Sequence, residues 1–134
     1  MERNSTHLAG EYFVAAELYR RGFSVGMTIG NAKAIDMYAN KDNKTVSVQV
    51  KAIRNRKSVG WPVMKDKILN GILYIFVNLN DQDHPDYYIA TAKEARKKAR
   101  QYATRGIINL SSLRNEQFHN RWEKLALLKK TLTK

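Results

Sequence analysis

The chain contains no cysteine, few acidic residues and no long apolar run. Without cysteine there is no disulfide framework and no thiolate metal site, which suits a reducing, cytoplasmic setting. The longest apolar run, Ile72 to Val77, is far too short to span a bilayer, so no membrane association is expected. The first residues, Met1-Glu-Arg-Asn-Ser-Thr, carry no apolar core and do not read as a signal peptide. Linkers, internal repeats and low-complexity segments are missing, as are the GxxxxGK[ST] and GxSxG motifs. The three histidines, His7, His84 and His119, show no metal-ligand spacing and read as surface or core residues.

Acid is scarce relative to base. Twelve Asp and Glu stand against twenty-four Lys and Arg, for a net charge of +12 and a pI near 10.0. Such an excess points to a polyanionic partner, with nucleic acid ahead of a membrane surface; the plainer alternative is a soluble basic protein. With 43% apolar and 27% charged residues the chain is globular. Its 134 residues fit one domain, 1–134, able to bury roughly two-thirds of the unfolded surface.

The stretch from Ala34 to Ala52 organises the rest. Two alternating segments flank the polar loop Lys41-Asp42-Asn43-Lys44, the pattern of a β-hairpin. Val46, Val48 and Val50 share one face, and Ser47, Gln49 and Lys51 the other. In the first segment Ile35, Met37 and Ala39 are expected opposite Asp36 and Tyr38. A turn centred between Asp42 and Asn43 puts Asp36 across from Gln49, with Cβ atoms about 5 Å apart. Lys51 follows Gln49 by one strand repeat, about 6.6 Å. An acid, an amide oxygen and an ammonium then converge on one patch, the candidate active site.

Upstream, Ser5 or Thr6 can cap a helix that runs to about Arg21 and stops at Gly22. Leu8, Val14, Ala15 and Leu18 mark its inward stripe. Glu11 falls inside that stripe and, as a buried carboxylate, must face a cation, a metal or a water-filled cleft. Phe23 to Ile29 reads as a strand, and Gly30 to Lys33 as the turn before Asp36. Between Lys51 and Lys67 lie six basic residues and one acid. From Gly71 to Leu79 the chain is apolar on both faces, as in a central strand. Asp86 to Ala90 is a further strand, Thr91 opens a capping box for a helix to about Ala103, and Ile107 to Leu110 is extended. A last helix is expected from Ser111 or Ser112, with Phe118, Trp122 and Leu125 inward. The expected fold class is α/β, a mixed sheet with helices packed on it.

Glu11 on the first helix, Asp36 in an Ile-Asp pair, and Q-V-K at Gln49 to Lys51 together resemble the PD-(D/E)XK nuclease superfamily. The segment G-E-Y-F-V-A-A-E-L-Y-R-R-G-F-S-V is similar to its restriction-endonuclease-like and Holliday-junction-resolvase-like members. Later stretches, G-W-P, L-Y-I-F-V-N-L, P-D-Y-Y-I-A-T and N-R-W-E-K-L, resemble one group of small uncharacterised bacterial members with a Q-x-K motif. The resemblance implies a restriction-endonuclease-like fold and a Mg²⁺- or Mn²⁺-dependent nuclease acting on DNA. Its catalytic residues would be Glu11, Asp36, Gln49 and Lys51. Ile35 stands where the motif has Pro, and Gln49 where it usually has Glu or Asp, which removes one charge from the metal site. Restriction enzymes with Q-x-K at this place are similar.

The residues suit that chemistry on their own terms. Asp36, the Gln49 amide oxygen and a backbone carbonyl near Val50 could ligate a hard cation. Lys51 could orient water and stabilise the charge on phosphate. Candidate nucleic-acid contacts are Lys33, Arg54, Arg56, Lys57 and Lys65, with further ones on the Lys93–Arg105 stretch. Trp61, beside Pro62, either stacks on a base or anchors packing. Duplex cleavage by a single-site enzyme would call for a homodimer or two binding events. The rival readings are a lapsed nuclease that retains nucleic-acid binding, and a small basic scaffold with no site.

Overall fold

The structure, a computed structural model, describes residues 3–30 and 34–127. Helix α1, Arg3–Arg20, is followed by strands β1 (Ser24–Met27), β2 (Met37–Lys41), β3 (Lys44–Ile53) and β4 (Gly60–Pro62). A 3-10 turn, Lys65–Lys67, leads to β5 (Ile72–Asn78) and β6 (Asp86–Ala90). Then come α2 (Ala92–Lys98), β7 (Arg100–Gln101), β8 (Gly106–Asn109) and two short helices, α3 (Leu110–Leu113) and α4 (Lys124–Leu127).

Five strands form one sheet in the order β1-β2-β3-β5-β6. Only the β3–β5 pairing is parallel, so the sheet is mixed as expected. The β2–β3 hairpin turns on Asp42 and Asn43, both with positive φ (53° and 63°), the conformation of a two-residue I′ turn. Its register pairs Met37 with Val48 and Tyr38 with Ser47; it breaks off before Asp36, whose N–H bonds the Val48 carbonyl, so Asp36 is not the regular cross-strand partner of Gln49 that the sequence suggests. β5 is buried along its whole length between β3 and β6.

One sheet face, with Met37, Ala39, Val46, Val48, Val50, Leu73 and Ile75, packs against Val14, Ala15 and Leu18 of α1. Gly10 brings helix and sheet together: a Cβ there would lie 2.6 Å from that of Ala52. The helix ends in a Schellman motif, Phe23 N–H to Leu18 O and Gly22 N–H to Tyr19 O, with Gly22 at φ +91°. The other face carries Ile53, Tyr74, Phe76 and Tyr88 under α2 and a small sheet ordered β4-β8-β7.

Several expectations need correction. Ser5 and Thr6 lie inside α1, which already runs at Arg3, and Leu8 is exposed at a cleft instead of packed in the core. Ile35 packs on the core opposite Met37 and Ala39, because regular pleating begins only at Met37. Helix α2 has its capping box at Thr91 but stops at Lys98, since Ala99 turns extended and Arg100 pairs with Ile107. The expected last helix is two single-turn helices joined by an irregular segment: Phe118 enters one core, Trp122 and Leu125 the other. None of the described helices is long and apolar enough to cross a membrane.

Candidate active site

Asp36 sits immediately ahead of β2, and its backbone is held from both sides. Its N–H donates to Val48 O (2.8 Å), and its carbonyl accepts from the Thr28 N–H and hydroxyl (both 3.0 Å). The carboxylate reaches past the end of β2, where Oδ2 accepts the Val50 N–H at 2.7 Å. A charge-assisted bond from a fixed amide sets its aim. In a strand the N–H and C=O of one residue leave the same edge, so the Val50 carbonyl lies on the edge that faces Asp36.

Glu11 comes to the same place from the helix. Both carboxylates are 2% exposed overall. His7, one helical turn before Glu11, lies against both: its Nε2 is 2.6 Å from Glu11 Oε2 and 3.9 Å from Asp36 Oδ1. Donor atoms of His7, Glu11 and Asp36 all fall within 4.8 Å of one another, a spacing that could hold a metal ion. His7 is therefore no isolated surface histidine. Its signal in the sequence is the i, i+4 relation to Glu11, which puts both on one helix face.

Glu11, Asp36, Gln49, Val50 and Lys51 line one cleft of about 510 Å³, together with His7. Leu8, Tyr12, Met27 and Ile29 form an apolar rim around it. Gln49 and Lys51 are half-buried, on the sheet face opposite Val48 and Val50. The helix and the hairpin thus deliver all four expected residues to a common opening.

The expected nucleic-acid contacts divide. Arg56, Lys57 and Lys65 are exposed; Arg54 is exposed as well but pairs with Asp81 at 3.2 Å. Lys33 lies outside the described residues. Trp61 is corrected to a core residue: it is 0% exposed, donates its indole N–H to Val77 O (3.0 Å), and packs on Phe76 and Tyr88. No ring face is left for a base. Away from the cleft, burial raises the hydroxyl pKa values of Tyr74, Tyr87 (to about 12) and Tyr88.

No protein-family model matches the chain, and no curated protein matches it in sequence. Its fold has clear counterparts. A bacterial homing endonuclease, I-Ssp6803I, superposes over 98% of this chain and 96% of its own, with a TM-score of 0.64 and 11% identity. Hjc, a Holliday junction resolvase from Archaeoglobus fulgidus, covers 90% of this chain and 95% of its own, with a TM-score of 0.58 and 12% identity. This chain shares their fold, a restriction-endonuclease-like α/β arrangement of a mixed five-stranded sheet with helices packed on it.

Proposed function

We propose that the protein is a divalent-metal-dependent endonuclease that hydrolyses phosphodiester bonds in DNA at the cleft holding Glu11, Asp36, Gln49 and Lys51. The observation that carries this reading is the convergence of those side chains, from α1, β3 and the residue just ahead of β2, on one opening in a fold shared with nucleases. A fold alone hosts many functions, so the weight rests on the site.

The donor set fits a divalent cation. Asp36, the Gln49 amide oxygen and the Val50 carbonyl offer the oxygen ligands that Mg²⁺ or Mn²⁺ prefers, and Glu11 stands beside them. His7 adds a nitrogen within the same cluster, which a softer divalent ion would use. Once bound, the cation would polarise the phosphate and make a water more acidic. The chain's own residues do the rest. Val50 N–H keeps Asp36 aimed, Lys51 offers an ammonium to the charge growing on phosphate, and Glu11 adds a second carboxylate that attracts the cation. The basic residues Arg56, Lys57 and Lys65 would hold the flanking backbone, with Arg54 and Lys33 as further candidates.

A second reading, a lapsed nuclease that still binds nucleic acid, is favoured by one feature: Gln49 supplies no charge where a carboxylate would. A cleavage panel separates the two, using supercoiled, branched and single-stranded DNA, with RNA alongside, in Mg²⁺, Mn²⁺ or chelator. The nuclease reading expects metal-dependent cutting of at least one DNA. Binding without cutting under every condition supports the lapsed nuclease.

A further inference from the structure

The opening does not end at Lys51. Gln49 and Lys51 also line a second cavity, about 490 Å³, on the side away from His7 and Glu11. Its walls are the 3-10 turn at Lys65–Lys67 and the turn between β7 and β8, which carries Thr104 and Arg105. Lys67 and Arg105 stand on its rim with one acid, Asp66, while Met64, Ile68 and Leu69 give it an apolar lining. An apolar lining under a net cationic rim matches the two halves of a nucleotide, base or sugar and phosphate.

The two walls are braced to each other. Gln101 Oε1 accepts the Lys65 N–H at 2.8 Å, and its Nε2 donates to Tyr102 O (2.8 Å) and Arg105 O (3.2 Å). Tyr102 N–H closes the turn on Arg105 O at 2.7 Å, and Val63 N–H donates to Gly106 O at 3.0 Å. A Cβ on Gly106 would collide with the Val63 carbonyl, so the walls meet backbone to backbone. The distance between the Lys67 and Arg105 turns is thus set before any ligand arrives, which lowers the ordering cost of binding.

We propose that this cavity seats the nucleotide next to the phosphate held at Lys51, with Arg105 and Lys67 gripping the following phosphate. The inference rests on the nuclease reading for its substrate, but its test does not need cleavage. The affinity of a fluorescein-labelled DNA duplex is measured by anisotropy across a salt series for wild type, Arg105→Ala, Lys67→Ala and Arg20→Ala. Arg20, exposed at the far end of α1, controls for the loss of one charge. The expected result is a log–log salt slope shallower by about 1 for Arg105→Ala and for Lys67→Ala, with affinity near 0.1 M salt down about tenfold. Arg20→Ala should keep the wild-type slope. Gln101→Ala should weaken binding with the slope unchanged, because it loosens the walls and removes no cation. If Arg105→Ala and Lys67→Ala behave like Arg20→Ala, the subsite is wrong, whether or not the protein cuts DNA. If they weaken binding as stated while wild type never cuts, the subsite stands and the nuclease reading falls.

Discussion

Asp36 is fixed through its N–H, its carbonyl and its carboxylate, and that orders the expected effects of substitution. Its carbonyl answers β1's end, its N–H answers β3, and its carboxylate takes the Val50 amide. Gln49 is the more adjustable neighbour, because an amide and a carboxylate share shape and differ in charge. Gln49→Glu should lower the Mg²⁺ or Mn²⁺ concentration needed for half-maximal nicking, by roughly tenfold if the added charge contributes about 1.4 kcal/mol to metal binding. An unchanged metal requirement would remove Gln49 from the ligand set. Strand alternation made the common face of Gln49 and Lys51 legible in the sequence, whereas the aim of Asp36, ahead of the regular strand, comes from its bonds to Val48 and Val50. His7 was not legible, since a histidine four residues before a glutamate is common on helices and only the fold brings Asp36 to the pair. Trp61 was open because a Trp beside Pro carries no periodicity to say which way its ring faces.

At the scale of elements, the approach of α1 to the hairpin decides whether Glu11 and Asp36 share a cleft. Gly10 has no room for a side chain against Ala52. Gly10→Val should cost about 1–3 kcal/mol in chemical denaturation and reduce cleavage more than DNA binding, since it lifts Glu11 from the sheet. Stability and cleavage both at wild-type level would mean that the contact does not set the site. The hairpin and β5 could be read from sequence because period-two alternation and a doubly apolar run each have one natural structure. The C-terminal segment could not. There the buried residues serve two different cores, and Lys124 replaces helical continuity as the anchor, donating to Ile89 O (2.8 Å), Gln117 O (2.7 Å) and Glu94 Oε1 (2.8 Å). Burial raises the Glu94 pKa, but Lys124, the Thr91 N–H and Gln117 outweigh it and hold the carboxyl below its ordinary value. A lowered pKa in the fold stabilises it above the unfolded value, and that contribution fades as pH falls through the folded one. Wild type should therefore melt above Glu94→Gln at pH 7, and the gap should close on acidification below the usual carboxylate range. A gap independent of pH would assign Glu94 a packing role only.

For the molecule as a whole, net charge and cleft chemistry make separate statements. The excess of twelve positive charges predicts binding to DNA that weakens steeply with salt, with a log–log slope of about 0.9 for each phosphate neutralised. Salt-independent binding would argue against a nucleic-acid partner, however well the site is built. A nuclease with a single cleft would cut one strand at a time, so the proposed activity should nick supercoiled plasmid before linearising it, unless two copies act together as a homodimer. The direct test of the central claim is a plasmid-nicking time course in Mg²⁺ and in Mn²⁺ with wild type and Asp36→Ala, alongside their DNA affinities. The account predicts metal-dependent nicking by wild type, its loss in Asp36→Ala by at least about a hundredfold, and affinity equal or tighter once a negative charge facing phosphate is gone. Equal nicking by the two proteins would contradict it and place the activity outside this cleft.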